Sequence, residues 1–302
     1  EKVSGRFQSH LIIYWTIGFI GSYIAGITIT GFGAANWQVI LASSAVPGLI
    51  TAIYRSLYRL PASPSWVATH VNNDEAQQLI QENLGRKWGL SKKLLASKAP
   101  AKISWKILLT KEYRRQTLVG GLFYACQAFS FFGISIFLPL LLSGMKLGSG
   151  HLSGIIYNLC VLVGVLAGSC AFKLLSRRAM LLACFFLPTF SLVAMILGTQ
   201  LAAGLQLAIF AFFATTLSAG LVLDYPYPTE LFDLKVRATG VGACITISRI
   251  GAASGTFLLP ILTNLGGARL AMIVCAVVLI IGGFICLLWA PETSPRYQKS
   301  AN

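Results

Sequence analysis

Charge is what this sequence has least of. Only 11% of its 302 residues are charged, nine acids against 24 lysines and arginines, where a water-soluble chain carries about a quarter. So few polar side chains cannot cover soluble domains of this length. With 56% apolar residues and a mean hydropathy of +0.73, the chain is read as belonging in a lipid bilayer. Composition excludes a soluble enzyme, a disordered chain and a disulfide scaffold. Histidine is also scarce: His10, His70 and His151 are scattered, with no cysteine or carboxylate at metal-ligand spacing. The seven cysteines, Cys126, Cys160, Cys170, Cys184, Cys244, Cys275 and Cys286, fall in apolar runs and give neither a disulfide framework nor a zinc spacing. The sequence has no serine elbow, no phosphate-cradling glycine loop with its lysine and no paired carboxylates. It reads as a non-enzyme with no cofactor and no metal.

What the chain does have is long apolar runs. A spanning helix needs about 20 mainly apolar residues, and eight stretches qualify: His10 to Gly31, Trp37 to Leu60, Gln116 to Ser143, His151 to Leu175, Ala179 to Gly198, Ala202 to Tyr227, Ala238 to Thr263 and Ala268 to Ala290. The 29 glycines and 11 prolines fit this reading, because both residues are commoner in membrane helices than in soluble ones. Four regions follow: 1–60 with two spans, a polar linker 61–115, a six-span region 116–290, and a tail 291–302. The linker is too polar to span, and it carries Arg86, Lys87, Lys92, Lys93, Lys98, Lys102, Lys106, Lys111, Arg114 and Arg115.

A net charge of +15 in a soluble protein would point to nucleic acid. Here its distribution points to lipid and to no nucleic-acid partner. Lys2 and Arg6, the linker, the Lys173/Arg177/Arg178 turn, the Lys235/Arg237 turn and the tail with Arg296 and Lys299 alternate onto one side, leaving Lys146 and Arg269 on the other. The positive-inside rule then places both termini in the cytoplasm. The chain opens at Glu1 with no Met, no basic leader and no cleavage site. It reads as N-terminally incomplete: if the linker joins two halves, six spans follow it, two precede it, and four more are expected ahead.

Several local stretches carry a family likeness. Pro61-Ala-Ser-Pro-Ser-Trp66 is similar to a Pro-Glu-Ser-Pro-Arg-Trp signature, with Ala62 and Ser65 at the Glu and Arg positions. The Asn73 to Leu84 segment is similar to a Glu-Ala-rich linker helix. Lys173-Leu-Leu-Ser-Arg-Arg178 is similar to an Asp-x-x-Gly-Arg-Arg turn without its Asp and Gly. The run from Tyr225 to Gly242 is similar to Glu-x-Phe-Pro-x-x-x-Arg-x-x-Gly, with Asp233 replacing a Pro. Pro291-Glu-Thr293 matches a closing Pro-Glu-Thr, and Ser4-Gly-Arg6 is similar to an Arg-Gly hairpin. In this order and over nearly the whole chain, these pieces resemble the sugar-porter branch of the major facilitator superfamily and its bacterial inner-membrane metabolite transporters.

The resemblance implies an all-α major facilitator fold: the last two helices of an N-terminal half, a linker and a complete C-terminal six-helix half. It implies transport of a small-molecule solute by alternating access, with the solute held near the midplane and coupled to protons. It also implies that Glu230, Arg237, Arg177, Arg178 and Glu292 are gating charges whose ion pairs break as the halves rock. The same residues also read as ordinary interfacial charges with solvated heads. A remnant or accessory membrane subunit without transport of its own is the alternative function. A channel would need a charged ring or filter motif.

Two ionisable residues lie below the interface, where charge is costly and marks function by default. Counted along straight helices at 1.5 Å per residue, Asp224 sits roughly 12 Å deep and Arg249 roughly 18 Å deep. They are expected to face the cavity, as a pair or as separate solute contacts. The competing readings are a static salt bridge between helices and an Asp224 that reaches the interface. Pro226 and Pro228 remove backbone donors beside it, which predicts a broken helix end.

Further substrate candidates are Tyr124, Gln127, Tyr157 and Asn158. In the resemblance, hexoses are read by amides. The corresponding positions here hold Cys126 and Gln127, then Phe132 and, on the first span, Ile12. An organic acid, organic cation or other small metabolite is therefore preferred to a hexose. Gln127 fits helix-to-helix hydrogen bonding equally well. Phe129, Phe131, Phe132, Tyr14 and Trp15 either wall a cavity and bind a cation or simply pack. Gly164-x-x-x-Gly168 and Gly251-x-x-x-Gly255 read as packing seams.

Overall fold

The computed structural model describes residues 4–29, 31, 33–58, 62, 64, 67–68, 71–85, 89, 104–144, 151–198, 200–233 and 235–294. Most of the Pro61-to-Trp66 signature lies outside them, as do Lys2, His70, the linker cations from Arg86 to Lys102, Lys146, Arg296 and Lys299. The described residues are helical wherever they form regular structure: α1 (Ser4–Thr28), α2 (Asn36–Ser43), α3 (Ala45–Leu57), α4 (Asn73–Leu84), α5 (Arg114–Gly144), α6 (His151–Leu174), α7 (Arg177–Leu197), α8 (Ala203–Gly220), α9 (Pro226–Leu231) and α10 (Arg237–Trp289). Among them, seven helical stretches are long and apolar enough to cross a membrane, and the last of these runs 53 residues.

That last stretch is two spans. At Gly266 and Gly267 the backbone leaves the helix, with Gly267 at φ 69°, a conformation that costs glycine nothing and other residues much. The arms 237–265 and 268–289 correspond to the seventh and eighth expected spans. The second expected span is interrupted at Ser44 between α2 and α3. Pro47, three residues on, has no N–H to offer the Ser43 carbonyl. The sixth, expected as one helix from Ala202 to Tyr227, stops at Gly220, passes a 3-10 turn (Leu221–Leu223) and restarts as α9 with Pro226 in its first turn. Ser4 to Arg6 belong to α1 and form no hairpin.

The chain forms two compact units. One comprises 24–104. In it α2 and α3 bury no residue, and α4 is a capped polar helix: the Asn72 side chain accepts from the Glu75 N–H at 2.7 Å, and Gly85 ends it at φ 95°. The other comprises 1–23 and 105–302 and holds the core. There α5 lies along α10, α8 lies against α6 and α7, and α7 also packs on α10.

These pairings rest on missing side chains. A Cβ at Gly251 would strike the backbone carbonyl of Ala125, and one at Gly255 that of Phe129. Across the bundle, Gly164 faces Thr215 and Gly168 faces Ala219 in the same way. Both small-residue motifs are therefore seams where two backbones meet, the arrangement that substitutes for a hydrophobic driving force inside lipid. Valine at Gly251 or Gly255 must push α5 away from α10, at a cost of about 2 kcal/mol. Gly242, with open space around it, will accept alanine with unchanged or higher stability. Melting temperatures of the three variants in detergent will show the contrast, and equal values would mean that the seam is not tight.

Candidate functional site

Two polar clusters emerge in the core unit. The first is a cavity of about 210 Å³ lined by α1, α5, the turn after α8, and the first arm of α10. Its polar groups come from Tyr124, Asp224, Tyr225, Ser248 and Arg249; its apolar wall includes Ile12, Trp15, Ala128, Phe131, Phe132 and Leu221.

Local structure explains the placement of each group. The turn after α8 brings Asp224 out of helical register just before Pro226 and Pro228, so the depth counted along a straight helix does not apply to it. It is 5% exposed, and its Oδ1 is buried with no hydrogen-bond partner. Asp224 is thus enclosed by protein. The seam at Gly251 sets Ala125 of α5 against α10, which carries Tyr124 and Ala128 to the face opposite Ser248 and Arg249. Asp224 and Arg249 share this cavity without a salt bridge; among the described residues the single ion pair is Arg177 with Glu230. Arg249 itself is exposed.

The other three substrate candidates stand apart from the cavity lining. Gln127 is buried beside Gly220 and Cys184 with its Nε2 unpartnered. Tyr157 is hydrogen-bonded to Ser135, joining α6 to α5. The Asn158 Nδ2 donates to the Gly154 carbonyl at 2.8 Å on its own helix. Of the expected aromatics, Trp15, Phe131 and Phe132 do line the cavity. Phe129 is buried in the α5–α10 seam, and Tyr14 is 72% exposed. Tyr225 and Ser248 were not singled out in the sequence. Their only signal there is adjacency to the two buried-span charges.

The second cluster joins four of the five expected gating charges. Arg177 donates from Nε to Glu230 Oε2 at 3.2 Å and from Nη1 to the Phe172 carbonyl at 2.7 Å, and its guanidinium lies 3.4 Å from the centre of the Phe172 ring, a cation–π geometry. The Glu292 carboxylate accepts the backbone N–H groups of Arg177 and Arg178, each at 3.0 Å. It thereby caps the first turn of α7, where a negative charge meets the positive end of the helix dipole. The Ser176 hydroxyl accepts from Ala179 in the same turn. Arg178 donates to the Leu287 carbonyl at 2.6 Å, and the Thr293 hydroxyl donates to Glu230 at 2.6 Å. Arg237 lies outside this network, donating to the Phe232 carbonyl at 3.2 Å. The four charges thus tie α6, α7, α9 and the segment after α10 to one another.

The model of the Sugar (and other) transporter family matches residues 1–302. The chain belongs to this family. Within it, the chain is 30% identical over 281 residues to the inner membrane metabolite transport protein YgcS of Escherichia coli, covering 93% of this chain and 62% of that protein. It is 24% identical over 313 residues to the niacin transporter NiaP of Acinetobacter baylyi, covering 99% of this chain and 68% of that one. The chain thus spans about 62% of the length of YgcS. Among solved structures, the proton:xylose symporter XylE of the major facilitator superfamily aligns with a TM-score of 0.75 at 14% identity, over 96% of this chain and 65% of that one. Membership makes the chain an integral membrane protein of a transporter family with the major facilitator fold, as the order of motifs and spans indicated.

The largely buried Arg177–Glu230 pair is the costly one to break, because one partner removed leaves the other uncompensated. Glu230→Ala is expected to lose about 3 kcal/mol, and removing the Glu292 cap with Glu292→Ala about 1 kcal/mol. Adding Arg177→Met to Glu230→Ala will recover part of the loss. A double-mutant cycle on detergent unfolding reads the coupling, and strictly additive effects would mean that the pair is idle.

Proposed function

We propose that the chain acts in secondary active transport, moving a small polar or charged metabolite across the membrane by alternating access coupled to protons. In this reading 1–60 are the last two helices of an N-terminal half, 61–115 the linker and 116–290 the C-terminal half, with both termini in the cytoplasm. The observation that carries the proposal is Asp224, a buried carboxylate with an unpartnered oxygen that lines a cavity and is bridged to no base. A structural acid would be paired or hydrogen-bonded. One left open inside a membrane protein is available to a proton or to a solute.

Arg249 and the hydroxyl of Tyr124 complete the contacts offered to the solute, with Gln127, Tyr157 and Asn158 behind them. Ile12 and Phe132 stand in the cavity wall where the sugar-porter likeness has amides. An apolar side chain there cannot read hydroxyls, which favours organic acids, organic cations and similar metabolites over hexoses. The metabolite and niacin named for the relatives support the same range. The Arg177, Arg178, Glu230 and Glu292 network makes the cytoplasmic ends of its helices move as one piece, with Arg237 holding the turn that enters α10.

Uptake of labelled organic acids, organic cations, niacin and xylose will test this. It is measured in cells expressing the chain alone and fused to the part of YgcS that it does not match. Saturable uptake of at least one non-sugar solute is expected, and Asp224→Asn will lower it at least about tenfold or remove its pH dependence. An Asn variant that transports as well as the parent at every pH would defeat the role given to Asp224. No uptake in either form would favour a non-transporting membrane subunit.

A further inference from the structure

The cavity holds one acid and one base that are not bridged to each other. Asp224 and Arg249 line the same 210 Å³ space, form no salt bridge and make no hydrogen bond to each other. Asp224 is buried and Arg249 is exposed. Trp15 stacks on Phe19 at 13° with centroids 5.4 Å apart and meets the fully buried Phe131 at 53° and 6.1 Å, while Phe132 meets Phe131 edge-on at 90° and 5.4 Å. The partly exposed rings of Trp15 and Phe132 are the aromatic surface left for a further ring or a cation.

The electrostatics of this arrangement select among solutes. A simple anion held by Arg249 brings negative charge toward a buried, uncompensated carboxylate. A simple cation held by Asp224 does the converse toward the guanidinium. At the buried carboxylate the first repulsion counts for more than in solution, and at the exposed Arg249 the second counts for less. A solute carrying both charges sets its cation at the buried carboxylate, where an uncompensated charge is costly, and keeps its anion at Arg249, away from it. The space is below the size of drug-binding pockets, roughly 300–1,000 Å³, which limits the solute to about one ring with small substituents.

We propose that the solute is a small flat-ringed zwitterion, its cationic nitrogen at Asp224, its carboxylate at Arg249 and its ring against Trp15 and Phe132. This rests on the transport reading above but is tested by binding alone. Radiolabelled N-methylnicotinate, a fixed zwitterion, is bound at equilibrium to the purified full chain in detergent. It is then competed with 1-methylnicotinamide, a fixed cation, and benzoate, an anion of the same ring size.

The zwitterion is expected to bind at least tenfold more tightly than either competitor. Asp224→Asn will narrow its advantage over benzoate to about threefold or less, and Arg249→Gln will do the same for its advantage over 1-methylnicotinamide. The comparison in the unmodified chain stands even if a variant fails to fold. Equal affinities, tighter binding of benzoate or 1-methylnicotinamide, or no binding of N-methylnicotinate would overturn the proposal. Such a result alongside saturable uptake of another solute sinks the zwitterion and leaves transport standing. A tenfold preference with no uptake keeps the zwitterion site and removes the transport reading.

Discussion

Everything in the core unit depends on how closely two backbones approach where α5 meets the first arm of α10. Inside lipid no hydrophobic force pulls helices together, so association relies on contact between their surfaces. Glycine at 251 and 255 lets the α10 backbone reach the carbonyls of Ala125 and Phe129. That contact also fixes rotation. With Ala125 against Gly251, the neighbouring Tyr124 and Ala128 line the same space as Ser248 and Arg249. The cavity is thus a by-product of the seam: the helices touch at one register position and leave room at the next.

The second constraint is the interruption after α8. A continuous helix from Ala203 to Leu231 would satisfy its own backbone and carry Asp224 at a regular helical position. Pro226 and Pro228 remove the N–H groups that would bond the carbonyls of Val222 and Asp224, and the chain turns at Leu221–Leu223 before restarting. Irregular backbone at membrane depth is tolerated where protein buries it or where it lines a cavity. Here both hold, since Leu221 to Leu223 are buried and Leu221, Asp224 and Tyr225 line the cavity.

The two constraints were unequally legible. Apolar length alone located the spans, because burial in lipid demands a continuous apolar run whatever the packing. The Asn73 to Leu84 helix, expected from its likeness to the Glu-Ala-rich linker helix, forms with those bounds, capped by Asn72 and closed by Gly85. The prolines beside Asp224 announced a broken end, but not that the span would stop as early as Gly220. Site membership was harder. Asp224 and Arg249 stand out because charge in an apolar run is conspicuous, and Tyr124 joins them in the cavity. Gln127 carries an equally polar side chain on α5 but sits beside Gly220, and Tyr157 and Asn158 belong to α6, which contributes nothing to the cavity lining. Nothing in a sequence without helix rotation separates the two sets. The same limit hid Ser248 and Tyr225, and it left Arg237 grouped with charges that the fold connects without it.

The acids give the sharpest contrast between holding the fold and serving the site. Beyond Arg115 the sequence contains four: Asp224, Glu230, Asp233 and Glu292. Glu230 accepts from Arg177 and Thr293, Glu292 from the first turn of α7, and Asp233 from the Tyr113 hydroxyl at 3.4 Å. Each of these is at a helix end, where a hydrogen-bonded carboxylate stabilises the turn it caps or bridges. Among the described residues Asp224 alone of the four accepts no hydrogen bond, though it is buried and so the costliest to leave open. A bundle that needed this carboxylate only for stability would do better with an apolar residue of similar volume. Its place beside an unbridged arginine is therefore a cost to folding.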